Sequence, residues 1–177
     1  YELEKLLQFD LSTLSEEDGL EEVLFSLINT QKYRISSVVA NLLGYCLVLY
    51  YQTHKISHWK FVEVMSGPNF KWRLDSIVVL GLVSSTKGFK SQLSSLIDSL
   101  LQTNSPNLQP FICQCFRRIL KGTGTFLTKS ISDIFNYVSK HITSRSSDYL
   151  QVECFKTVSV LYVHAKLPIE QIIPLIN

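Results

Sequence analysis

Thirty-three residues, Ser105 to Tyr137 (SPNLQPFICQCFRRILKGTGTFLTKSISDIFNY), leave this chain few folds to choose from. Ser105 reads as an N-cap and Pro106 as the first helical residue, where a missing N–H costs nothing. Leu108, Ile112, Cys115, Phe116, Ile119 and Leu120 then recur at helical spacing on one broad apolar face. Gly122 stands where the residue after a helix takes a positive φ, and Lys121 sits at the negative end of the helix dipole. After Gly124 a new period begins with Leu127, Ile131, Ile134, Phe135 and Val138. Two amphipathic helices joined by about four residues must fold back on each other as an antiparallel hairpin.

The same unit recurs along the chain. Residues 1–9 (YELEKLLQF) read as the tail of a helix, and Ser12 or Ser15 caps the next, with Glu16, Glu17 and Asp18 in its first turn. Leu20, Val23, Leu24, Leu27 and Ile28 give that helix its buried face. Further on, Gly67-Pro68 breaks the chain before a helix expected to begin near Asn69, and TNSP closes the helix that starts at Phe89. In that last helix the leucines face inward and the serines outward. Ser146 or Ser147 caps a helix burying Leu150, Cys154, Val158 and Leu161, and Pro168 opens a final one. Counted between turns, the hairpins span approximately 32–65, 69–102, 105–142 and 146–177, a period of roughly 35 to 40 residues. No alternation long enough to argue for strands interrupts them. The spaced Trp, Gly, Tyr, Ala and Pro of tetratricopeptide repeats cannot be found in register. The expected fold is all-α, a HEAT/armadillo-like α-solenoid of stacked antiparallel helix hairpins. Residues 1–177 are expected to form a single fragment of it, cut from a longer chain, because both ends fall within helical patterns.

Composition excludes more than it assigns. At 46% hydrophobic and 18% charged, the chain is far from the disordered class, and its net charge of +2 offers no basic stripe for nucleic acid. Residues 35–51 (ISSVVANLLGYCLVLYY) hold seventeen positions without a charge. A membrane span needs about 20 such residues, so a sandwiched core helix is the better reading. No leader pattern opens the sequence. The four cysteines, Cys46, Cys113, Cys115 and Cys154, lie in helical patterns among apolar neighbours, as free buried thiols of a reducing compartment do.

Chemistry-bearing constellations are sparse. Cys113 and Cys115, two apart on a helix, point about 200° away from each other and cannot chelate one ion unaided. His54, His58, His141 and His164 are scattered over four segments without a ligand-pair spacing. Gly122-Thr123-Gly124 resembles a phosphate-cradling turn, but it follows a helix rather than a strand. No nucleophile–base set is readable from spacing, so neither a catalytic residue nor a cofactor is expected. Two groups remain as partner-binding candidates. Trp59, Phe70 and Trp72, with Phe61, bracket the Gly67-Pro68 turn, either as a plug between stacked hairpins or as aromatic anchors for a partner. Arg117, Arg118 and Lys121, with Lys129 and Lys140, form either a solvated surface or a basic strip along one edge of the central hairpin.

Leu80-Gly81-Leu82, then Ile119-Leu120-Lys121-Gly122-Thr123-Gly124 about 40 residues later, then a serine-rich loop with Arg145 and Asp148, carry a family resemblance. Over roughly 34–161 the chain resembles the amino-terminal region of the very large HEAT-repeat accessory proteins of the trans-Golgi clathrin adaptor, adaptor protein complex 1. Gln151, Val152 and Glu153 depart from the arginine that family members carry after the serine loop. The resemblance implies a non-enzymatic cytoplasmic scaffold that assists adaptor recruitment in trans-Golgi and endosomal vesicle traffic. Protein partners are then expected, with no nucleic acid and only peripheral membrane association through those partners. Two alternatives share the pattern: a repeat scaffold of an unrelated assembly, and an enzyme whose site forms only in three dimensions.

Overall fold

In the computed structural model, residues 37–53, 65–67, 70–84, 92–123, 127–142 and 146–175 are described. They form helices and no strand: α1 (Ser37–Thr53), α2 (Leu74–Val83), α3 (Leu93–Leu101), α4 (Gln109–Thr123), α5 (Thr128–His141), α6 (Asp148–Ala165) and α7 (Ile169–Ile172), with a 3-10 turn at Ile173–Leu175. The chain is all-α over these residues. The expected helices before residue 35, and all but the end of the second helix of the expected 32–65 hairpin, lie outside the described residues.

The helices pack in a definite succession. α1 lies on α2, α2 on α4 and α4 on α6, while α3 lies on α5 and α5 also meets α6. Glycines set two of these contacts. A Cβ on Gly44 of α1 would stand 2.5 Å from Leu82 Cδ1 of α2, and one on Gly81 of α2 would stand 3.1 Å from Arg118 Cδ and 3.5 Å from Cys115 Cα of α4. The missing side chains make room for Leu82 against Gly44 and for Arg118 and the Cys115 backbone against Gly81.

Uncharged α1 buries Ala40, Leu47, Tyr50 and Tyr51 but leaves Tyr45 56% and Leu49 53% exposed, so one stripe faces outward instead of being sandwiched. Among the described residues, no helix is long and apolar enough to cross a membrane. α2 is buried almost all round, including Asp75. That carboxylate is tolerated because Arg73 Nη2 donates to it at 2.6 Å and the Ser76 N–H at 2.9 Å. α2 starts at Leu74 rather than near Asn69: Arg73 is extended, and Trp72 before it is tied to Ser99 of α3 while meeting Phe70 edge-on.

The central hairpin corrects two expected boundaries. Ser105 to Leu108 make a turn, closed by the Leu108 N–H on the Ser105 carbonyl at 3.0 Å, and α4 begins at Gln109. It is Pro110, not Pro106, that occupies the first helical turn, where the absent N–H has no partner to lose. Gly122 is not the left-handed stop: α4 runs through it to Thr123. Gly122→Ala should therefore stabilise the protein by about 0.5 kcal/mol, through helix propensity, seen as a small rise in Tm. A fall in Tm would return Gly122 to the turn.

Beyond the turn, Phe116 of α4 meets Tyr137 of α5 edge-on, with ring centroids 5.8 Å apart. Ile112, Phe116, Ile119 and Leu120 of α4 and Ile134 and Val138 of α5 belong to one buried core. α6 starts as expected, with Ser147 Oγ accepting the Leu150 N–H at 3.3 Å. It ends on Lys166 at φ 56°, the left-handed position that glycine usually fills, and both the Lys166 and Leu167 amides reach the Leu161 carbonyl. Pro168 then leads into α7.

Candidate interaction surface

Residues 70–72 line a groove. Phe70 and Trp72 meet there, with ring centroids 5.0 Å apart in edge-to-face contact. Trp72 is only 7% exposed. Its indole Nε1 donates to Ser99 Oγ at 2.9 Å, and Ser99 Oγ donates on to the Met65 carbonyl at 3.1 Å. Ser66 Oγ donates to Ser95 Oγ at 3.2 Å. On α3, Ser94 and Ser95 are exposed as expected, whereas Ser99 is half-buried, and Ser95 and Ser99 tie Ser66 and Trp72 to the helix. The groove, of about 640 Å³, opens between residues 70–72, α3 and the 103–108 turn. Phe70 and Trp72 line it together with Lys71, Asp98, Gln102 and Asn104. Its lining offers amides, hydroxyls and one charge of each sign beside two aromatic rings.

The basic candidates go elsewhere. Arg117 turns toward α6: Nη2 pairs with Glu153 Oε2, and Nη1 donates to the Glu153 carbonyl at 3.0 Å. Arg118 lies over Gly81, with its Nη2 3.5 Å from Asn41 Oδ1, and lines a smaller groove of about 220 Å³ between α1, α2, α4 and Tyr149. Lys121 is exposed near the end of α4, while Lys129 and Lys140 flank a third, shallow depression on α5. Arg117 thus leaves the strip, and the aromatic and basic groups share no groove. Trp59 lies outside the described residues.

Ionisation is displaced in the interior instead. Burial alone would raise the Glu153 carboxyl, but hydrogen bonds from Arg117 and Lys156 outweigh it and hold the group below its ordinary value. Burial pushes the Cys115 thiol up to about 12 and raises Tyr137, whose hydroxyl finds no hydrogen-bond partner. Cys113 and Cys115 diverge as their spacing requires: Cys113 meets Cys154 of α6, and Cys115 lies against Gly81 of α2. His141 Nδ1 donates to the Tyr137 carbonyl at 2.7 Å, and His164 is exposed. Among the described residues, no three His, Cys, Asp or Glu side chains are placed to hold a metal ion.

Sequence reasoning missed Ser99, Asp98, Gln102 and Asn104 of the groove. The available signal was the serine spacing of α3, where Ser95 and Ser99 recur at i, i+4 on one stripe. No family model matches this chain, and neither a curated protein nor a solved structure matches it.

Proposed function

We propose that this chain is part of a HEAT-like α-solenoid that serves as a non-enzymatic protein-interaction scaffold. The succession α1–α2–α4–α6, with α3 and α5 on a second tier, is the observation that carries the reading. Each helix of the row covers one face of the one before it, as stacked repeats do. The groove at Phe70 and Trp72 is the surface for a partner polypeptide, with its aromatic rings giving contact area and its polar lining giving hydrogen bonds. The resemblance carried by Leu80-Gly81-Leu82 and Lys121-Gly122-Thr123-Gly124 points to the clathrin adaptor of the trans-Golgi network as the assembly served, and to a cytoplasmic protein at the surface of those membranes.

Affinity capture of the intact protein from cell extract, at low salt, tests both levels. Adaptor complex subunits are expected with the wild type and several-fold less with Lys71→Glu/Gln102→Ala, two exposed groove positions whose change should leave Tm within about 1 °C. Reproducible absence of adaptor subunits would remove the trafficking assignment. Partners that bind the double variant as well as the wild type would remove the groove.

A further inference from the structure

The α4–α6 contact holds a pair of thiols that the scaffold reading does not use. Cys113 and Cys154 come from helices 41 positions apart, are both fully buried, and place their sulfurs 3.8 Å from each other. The helix frames around them are already docked. Thr157 Oγ1 lies 3.3 Å from the Cys113 carbonyl and 2.8 Å from the Glu153 carbonyl, and Arg117 Nη1 reaches both Glu153 O and Thr157 Oγ1. Hydrogen bonds one turn from each sulfur therefore fix the register of the two helices. A disulfide needs its sulfurs at about 2.05 Å. The two sulfurs start from van der Waals contact.

We propose that Cys113 and Cys154 form an oxidative modification site, a dithiol that closes to an interhelical disulfide on reaction with a peroxide. The proposal is independent of the groove and of any trafficking role. Either thiol can donate across the 3.8 Å contact. With Cys113 as donor, that hydrogen bond and the Arg117 guanidinium lower the Cys154 pKa against burial and the Glu153 carboxylate, so Cys154 is assigned as the attacking group. The same hydrogen bond and burial hold Cys113 up. The Cys154 thiolate attacks one oxygen of hydrogen peroxide. An S–O bond forms, the O–O bond breaks, and the departing hydroxide takes up the proton lost from Cys154 to leave as water. The Cys113 sulfur then attacks the Cys154 sulfenic acid. The S–S bond forms, the S–O bond breaks, and the second hydroxide leaves as water with the Cys113 proton. Two thiols are oxidised by two electrons, and one peroxide is reduced to two waters. Burial makes the reaction slow and ties it to local opening of the α4–α6 contact, which admits a molecule as small as peroxide. Cys115, on the opposite side of α4 against Gly81, serves as the internal comparison.

The test is peroxide treatment of the intact wild-type protein, digestion without reduction, and mass spectrometry. The expected result is a linked pair of peptides containing Cys113 and Cys154, lighter by two hydrogens and separated by dithiothreitol. The oxidised protein should also melt on the order of 10 °C higher than the reduced one, because the link closes a long loop of the unfolded chain. Cys115→Ser should form the link in full yield and Cys154→Ser should form none. The wild-type digest decides the matter even where a variant fails to fold. Sulfinic acid on Cys113 or Cys154 without linked peptides would overturn the proposal. So would both thiols staying reduced throughout, or links made mainly through Cys115 or Cys46.

Discussion

Arg117→Ala should destabilise the protein by about 3 kcal/mol at neutral pH, because it strips a buried carboxylate of its main partner. Glu153 has a side chain only 3% exposed and accepts from Arg117 Nη2 on one oxygen and from Lys156 Nζ at 3.0 Å on the other. Lys156 is itself largely exposed, so it compensates only in part. The loss arises from leaving one charge behind, and the double variant Arg117→Met/Glu153→Leu should therefore return to within about 1 kcal/mol of wild type. Acid should narrow the gap. The folded-state pKa of Glu153 lies below its ordinary value of 4.5, so the stability it contributes is present above that value and lost as pH falls through the folded one. Urea denaturation at pH 7 and again near pH 3 checks both claims. An Arg117→Ala deficit of the same size at the two values would mean the ion pair contributes nothing and the guanidinium acts through packing alone.

Phe116→Ala should cost about 3–5 kcal/mol, the range for emptying a fully buried aromatic site. Its ring is completely enclosed and meets the Tyr137 ring edge-on, and through that contact α4 is held against α5. At roughly 2–4 °C per kcal/mol for a protein of this size, the Tm should fall by about 10 °C. Phe155→Ala on α6 supplies the contrast, since Phe155 is 42% exposed and its loss should cost less than about 1 kcal/mol. Comparable losses at both positions in thermal melts would show that the outer face of α6 is covered in solution.

Faces were legible in the sequence, and partnerships were not. The apolar stripes of α3, α4 and α6, the Ser147 cap and the Pro168 start all follow from local spacing and turn chemistry. The ends of α4 were displaced because Pro106 and Gly122 are each compatible with a boundary, while Pro110 and Thr123 are compatible with the boundaries actually used. Trp72 is drawn inward by a hydroxyl 27 positions away, and no local pattern encodes that distance. Arg117 was read as part of a surface strip because its partner lies 36 residues on. A stricter reading of α6 could have found it. Leu150, Glu153, Cys154, Thr157, Val158 and Leu161 fall on one helical stripe, and a carboxylate on a buried stripe demands a cation from a neighbouring element. Phe70 and Trp72 meet edge to face, and the polar residues that line the groove with them come from α3 and the turn after it.

The row of helices also has a mechanical side. α1 touches α2, α2 touches α4 and α4 touches α6, each contact joining a helix to the next in the row. In the solenoid proposed above, a small rotation at each contact adds to the next, so the distance between the far edges of the row changes greatly while no single interface shifts much. The close approaches at Gly44 and Gly81 stiffen two of these joints, because backbone pressed against side chain has little room to slide. The α4–α6 joint has no such glycine and is held by the Arg117–Glu153 clamp. Elastic give along the row is then unevenly distributed, with the polar joint and the two glycine joints answering differently to salt, pH and load.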